Sequence, residues 1–185
     1  MRVERLHAAY PIDVKFTHFP LHPDTPVEGL TLEQLFAGRN IDIPAAKARM
    51  VRLMADEGLD YGDRTMTYNS RLAQELAKWA ETRPGGDAIH DALFRAYFVN
   101  GRNIALIDTL IQVAEQAGLP KDEAGDILES RRFKEAVDTD WQRSKELDVT
   151  GVPTFVVGDR AVVGAQPYEE LEALVTSAGA ARRSS

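Results

Sequence analysis

Apolar residues recur at three- and four-residue spacing from the start of the chain, at Val3, Leu6 and Tyr10, which predicts a helix with no Ser, Thr, Asp or Asn before it as a cap. After Pro11 the period changes to two. Ile12, Val14 and Phe16 alternate with Asp13, Lys15 and Thr17, predicting a strand with one buried face, and the proline-rich stretch PLHPDTPVEG follows as a loop. Thr31 with Gln34 forms a capping box that opens a short helix closed by Gly38, and Asp42 followed by Pro44 opens another that runs to Gly58. Stripes such as Leu72/Leu76/Trp79 and Phe133/Val137/Trp141 predict helices over about 69–82, 86–100, 103–118, 120–129 and 131–147. Two short apolar runs, TFVVG and AVVGA, predict a hairpin turning at Asp159-Arg160, before a last helix from Pro167 to about Ser177. The order is thus helix, strand, a long helical block, hairpin, helix, with a frayed ARRSS tail.

Composition narrows the function classes. With 185 residues, 44% hydrophobic and 28% charged, the chain suits one domain carrying a large insertion. A net charge of −7 argues against nucleic acid or an anionic membrane as partner, since both select a basic face. No run approaches the ~20 apolar residues of a membrane span, and Glu4 and His7 stand where a signal peptide has its apolar core, so a cytoplasmic location is expected. There is no cysteine, which excludes disulfides, thiolate metal ligands and thiol nucleophiles from these residues.

His18 and His22 lie four apart, but in a proline-containing loop with no acidic third ligand at suitable spacing, so no metal site is expected. Trp79, Phe94, Tyr97, Phe98 and Trp141 fall on helical stripes and are expected to be core. Pro153 stands at the start of a strand, where its missing N–H costs no ladder bond, and an X–Pro bond is where a cis peptide is accessible.

The stretch VTGVPTFVVGDRAVVGAQPYEELEALV resembles the cis-proline strand, hairpin and closing helix of the DsbA family of thioredoxin-fold oxidoreductases. DVKFTHFPLHPDTPVEGL resembles the strand and loop after the first helix in that family's FrnE-like branch, while YNSRLAQELAKWA and DALFRAYFVNGRNIALIDTLIQVAEQAGL resemble its helical insertion. The resemblance runs from about Arg2 to Val175. It implies an α/β, thioredoxin-like fold built from residues 1–30 and 149–180, an all-helical insertion over 31–148 and a disordered tail over 181–185.

The same resemblance implies roles for particular residues. Pro153 would be cis, and Val152 before it would offer its N–H and C=O to an extended substrate chain, with Thr154 continuing that edge. His18 and Phe19 would line the site; Asn69 and Gln166 would border the substrate cleft, each also reading as a helix cap. The family's C-x-x-C motif sits at the start of its first helix, where the helix terminus stabilises a thiolate. This chain begins after that motif, and the strand before it, between the IDVKF and TFVVG strands in the fold, is missing as well.

The expectation is therefore a thiol–disulfide oxidoreductase or isomerase without its own catalytic residues, the remainder of a longer protein rather than a relative that has lost its redox centre. Its partner would be a thiol- or disulfide-containing protein or small molecule. The gap left by a central strand implies either a homodimer that fills it or a marginally stable monomer. Two alternatives stand beside this. One is the related group of 2-hydroxychromene-2-carboxylate isomerase and kappa-class glutathione transferases, with glutathione as cofactor, although GAQPYEEL departs from that group's Ser/Gly-Asp-Arg pattern. The other is a peptide-binding module without catalysis.

Overall fold

The computed structural model describes residues 2–183, and its contacts divide the chain into a terminal unit, residues up to 21 with those from 140 onward, and a helical unit, 22–139. In the terminal unit, Leu6 and Tyr10 on helix α1 (Arg2–Ala9) pack against Leu171 and Val175 on helix α9 (Tyr168–Ser177). The Tyr10 hydroxyl donates to Glu172 Oε1 at 2.8 Å, and the Arg5 guanidinium stacks on the Tyr168 ring at 4.2 Å. Onto this core the hairpin β3 (Thr154–Val157) and β4 (Arg160–Val163) lays Phe155, Val157 and Val162.

The helical unit opens with α2 (Leu32–Leu35), whose capping box closes as the spacing required: Gln34 N donates to Thr31 Oγ1 at 3.2 Å and Thr31 N to Gln34 Oε1 at 2.8 Å. Asp42 caps α3 (Ile43–Asp56) by accepting from Ala45 N at 2.9 Å. The core then forms among α4 (Arg71–Ala80), α5 (Ala88–Phe94), α6 (Ile107–Gln116) and α7 (Lys121–Glu129). Leu76, Trp79, Ile89, Leu110 and Ile127 interlock there, each at most 1% exposed. A π-helical turn, Arg95–Val99, follows α5 directly, and Gly62 presses against it with its N–H donating to Phe98 O at 2.9 Å. Helix α8 (Lys134–Glu146) carries the boundary between the units.

Several expectations need correction. Residues 12–17 form no strand, and Val14 and Phe16 are 43% and 51% exposed. Alternation supplies the propensity, but a strand exists only in a ladder, and this stretch pairs with none of the described strands. The hairpin turns at Gly158-Asp159 rather than Asp159-Arg160, because Gly158 takes the left-handed φ of 62° and Arg160 already pairs with Val157. A ladder of two residues per strand, β1 (Leu30–Thr31) with β2 (Met66–Thr67), is too short to show a period in the sequence.

The units divide at 21/22 and 139/140 rather than at 30/31 and 148/149. Asn69 Nδ2 donates to the carbonyls of Pro23 and Thr25, both at 2.9 Å, tying that loop to the helical unit. His18 N donates to Asp140 Oδ2 at 3.1 Å and Ser144 Oγ to His18 O at 3.2 Å, tying the end of α8 to the terminal unit. Of the expected tail, Arg183 N donates to Ala9 O at 2.8 Å, while Ser184 and Ser185 lie outside the described residues. Of the aromatic residues expected in the core, Trp79 is buried; Phe94, Tyr97, Phe98 and Trp141 are half-buried, with the Phe98 ring tilted against Phe94 at 4.8 Å and edge-on to Tyr97 at 4.7 Å between ring centres.

Candidate functional site

Strand β3 begins directly after a cis peptide bond between Val152 and Pro153. The register to β4 decides which way each backbone group points. Gly164 N donates to Pro153 O at 2.7 Å, and Phe155 and Val157 lie opposite Val162 and Arg160 two and four residues on. In an antiparallel ladder alternate residues turn their N–H and C=O to the partner. Pro153 therefore turns its carbonyl and Phe155 and Val157 their N–H and C=O to β4, and Thr154 and Val156 turn theirs to the opposite edge. The Thr154 hydroxyl donates back to Gly151 O at 2.7 Å and so shapes the turn into the strand. Val152 is 49% exposed at the head of this edge.

Gln166 sits beside the same strand end: its amide nitrogen donates to Val163 O at 2.6 Å and its N–H to Gly164 O at 2.9 Å. Arg2 in turn donates to the carbonyl of Gln166 at 2.7 Å, which packs the start of α1 against this corner. His18 is held through its backbone by Asp140 and Ser144, and Phe19, half-buried, follows it. Asn69 belongs to the helical unit, where its side chain is engaged by Pro23, Thr25 and Arg71 N. The structure therefore brings Val152, Pro153, Thr154 and Gln166 together at one strand end.

His22 also lies in the helical unit, its pKa held below the usual imidazole value by burial and then by Arg39 and Arg64. Among the described residues no cluster of His, Asp and Glu is arranged to hold a metal, and no helix is long and apolar enough to cross a membrane.

A groove of about 550 Å³ opens beside the same strand. Residues 12–15, β3 and residues 178–180 line it together with the apolar side chains of Leu6, Leu171, Leu174 and Val175. The sequence pattern assigned Val14 to a buried face and gave no sign that it lines a groove; the signal available was an alternating stretch with no ladder partner.

A family model described as a DSBA-like thioredoxin domain matches residues 1–176. The chain belongs to that family. Its α/β, helix-rich fold with few short strands is the DsbA-like thioredoxin fold. A probable DsbA oxidoreductase from Streptomyces coelicolor superposes with a TM-score of 0.85 at 28% identity, over 96% of this chain and 81% of that one. The uncharacterized protein YwbO of Bacillus subtilis is 30% identical over 106 residues, 57% of this chain and 53% of YwbO. The ClpXP adapter protein SpxH of Halalkalibacterium halodurans is 42% identical over 92 residues, 50% of this chain and 30% of SpxH. The chain thus spans about half the length of YwbO and under a third of SpxH. For a DsbA-like domain the chemistry on offer is distinctive. The outer edge of β3 carries the backbone donors and acceptors of Thr154 and Val156, and these 185 residues contain no cysteine for thiol–disulfide exchange.

Proposed function

We propose that this DsbA-like chain grips extended, thiol- or disulfide-bearing polypeptides along the edge headed by Val152, as the substrate-holding part of a cytoplasmic oxidoreductase or isomerase of the FrnE-like branch. The observation that carries this reading is the outer edge of β3: Thr154 and Val156 turn their N–H and C=O away from β4, and Val152, just before Pro153, is half exposed. A chain that adds to such an edge gains main-chain hydrogen bonds of about 1 kcal/mol each and needs no particular side chain, which suits a reader of unfolded substrates. Thiol–disulfide exchange requires a thiolate to attack, so the redox step belongs to a cysteine outside these 185 residues. The adapter description of SpxH supports a binding role for this scaffold.

The test is fluorescence anisotropy with a labelled, reduced and alkylated polypeptide that cannot fold. Val152→Arg places a long charged side chain at the exposed head of the edge and should weaken binding about tenfold, equivalent to ~1.4 kcal/mol. Val163→Arg, an exposed position on β4, should leave it unchanged. Equal affinities for wild type and Val152→Arg would sink this reading.

A further inference from the structure

Helix α3 buries none of its 14 residues, whereas α4, α6 and α7 each bury three or more. An isolated helix of this length is marginal in water and takes most of its stability from packing an apolar face. On α3 that face is open. Met50, Val51 and Leu53 are 42%, 42% and 45% exposed, and Ile41, just before the helix, is 41% exposed. Large apolar side chains gathered on one exposed element mark an interaction surface.

The spacing gives this surface a shape. Ile43, Ala46, Met50 and Leu53 follow one another at three, four and three residues, the seam along which one helix receives the side chains of another. The backbone of α3 is bonded within the helix and has no edge to offer a strand, so the occupant that matches it is a second helix. Lys47 and Arg49 flank the seam on opposite sides. Lys47 pairs with Asp63 in the loop that follows, while Arg49 enters no ion pair among the described residues.

Charge narrows the choice of helix. Residues 39–53 hold Arg39, Lys47, Arg49 and Arg52 against Asp42 alone, on a chain whose net charge is −7. A second copy would set this basic segment against itself. An anionic membrane would attract α3 and repel the acidic remainder of the chain. We infer that α3 is the docking surface for an acidic amphipathic helix of another protein, whose apolar residues at three- and four-residue spacing cover Ala46, Met50 and Leu53 and whose flanking carboxylates face Arg49.

The experiment uses the 185-residue protein and two labelled synthetic helices of about three heptads, both with leucine along the seam, one with glutamate and the other with lysine on its flanks. The Met50 methyl resonance is followed by NMR and affinity by fluorescence anisotropy. The glutamate helix should shift that methyl and bind at least about tenfold more tightly than the lysine helix, an advantage that shrinks as salt rises. Leu53→Asp, at a position already exposed, should weaken its binding about tenfold, and Arg49→Glu should reverse the preference between the two helices. Val152→Arg and Val163→Asp, both at exposed positions of the terminal unit, should change neither, so this inference and the substrate-edge reading fail separately.

Four results would overturn it: a Met50 methyl unmoved by either helix; equal binding of the two helices, which would mean an unspecific apolar surface; a shift with anionic phospholipid vesicles and none with the glutamate helix; or a dimer in light scattering that Leu53→Asp dissolves, which would make a second copy the occupant.

Discussion

Glu75 offers the sharpest test of what holds the helical unit together. It lies wholly buried on α4, and its oxygens accept from Arg131 Nε at 2.8 Å, Arg131 Nη2 at 2.6 Å and Arg71 Nε at 2.8 Å. Arg71 also reaches Asp138 Oδ1 and the Lys134 carbonyl, both at 2.7 Å, so one carboxylate joins α4 to the turn before α8 and to α8 itself. Glu75→Gln keeps the shape and removes the charge. Breaking a fully buried pair costs about 3–5 kcal/mol. Arg131 is 43% exposed, and Arg71 keeps Asp138. Solvent screening therefore lowers the cost to about 2–3 kcal/mol, a drop in Tm of roughly 4–12 °C for a chain of this size.

The pH dependence follows from the same geometry. Burial alone would raise the Glu75 pKa, but the hydrogen bonds and charges of Arg131 and Arg71 outweigh it and hold the carboxyl below its ordinary 4.5. A depressed folded pKa contributes stability that is complete above the unfolded value and lost as pH falls through the folded one. Wild type should therefore lose stability below about pH 4.5, and Glu75→Gln should show a flatter acid limb. Thermal melts followed by far-UV circular dichroism between pH 7 and pH 3 measure both. A Tm within about 2 °C of wild type at neutral pH, or an identical acid limb, would refute the assignment.

Two further perturbations separate backbone from side-chain effects. Arg131 holds a left-handed φ of 53°, so Arg131→Ala and Arg131→Gly lose the same bonds to Glu75 but only alanine keeps the backbone penalty; glycine should be the more stable by ~1 kcal/mol in urea unfolding, and equal stability would remove the strain. Gly62→Ala would drive its Cβ into the Val99 carbonyl oxygen on the π-helical turn, and should cost at least ~2 kcal/mol in the same assay; a change below ~0.5 kcal/mol would mean that the loop simply moves aside.

The sequence made the helices legible because each carries its own period and its own ends: the Thr31/Gln34 box, the Asp42 cap and the Leu72/Leu76/Trp79 stripe all reappear as geometry. The β3–β4 hairpin was legible for the same reason, its strands being adjacent in sequence and separated by a turn glycine. What stayed hidden depends on partners remote in sequence. Residues 12–16 alternate as a strand should, but a strand is a property of two segments, and no pattern within one of them reveals whether the second is there. The Arg131–Glu75 pair spans 56 positions and leaves no local trace, whereas its neighbour Arg71–Glu75, four apart on one helix face, was available to a reading of charge spacing. The site was legible only in part. Val152, Pro153, Thr154 and Gln166 converge because one hairpin carries them, while the anchoring of His18 by Asp140 and Ser144 joins the two ends of the chain.

The missing thiol makes one more outcome decidable. Exchange proceeds through a mixed disulfide, so a protein that accelerates it must present a thiolate, and no side chain among these 185 residues supplies one. A hydroxyl cannot substitute, because it forms no disulfide and carries no electrons between partners. The purified chain should therefore leave the rate of insulin reduction by dithiothreitol unchanged at catalytic concentration. On the proposed function, it should slow precipitation of the freed insulin chains at stoichiometric concentration by holding them extended at the Val152 edge, and Val152→Arg should lose that protection. Acceleration at catalytic concentration would refute the division between gripping and exchange. Undiminished protection by Val152→Arg would leave the division intact and place the grip elsewhere on the chain.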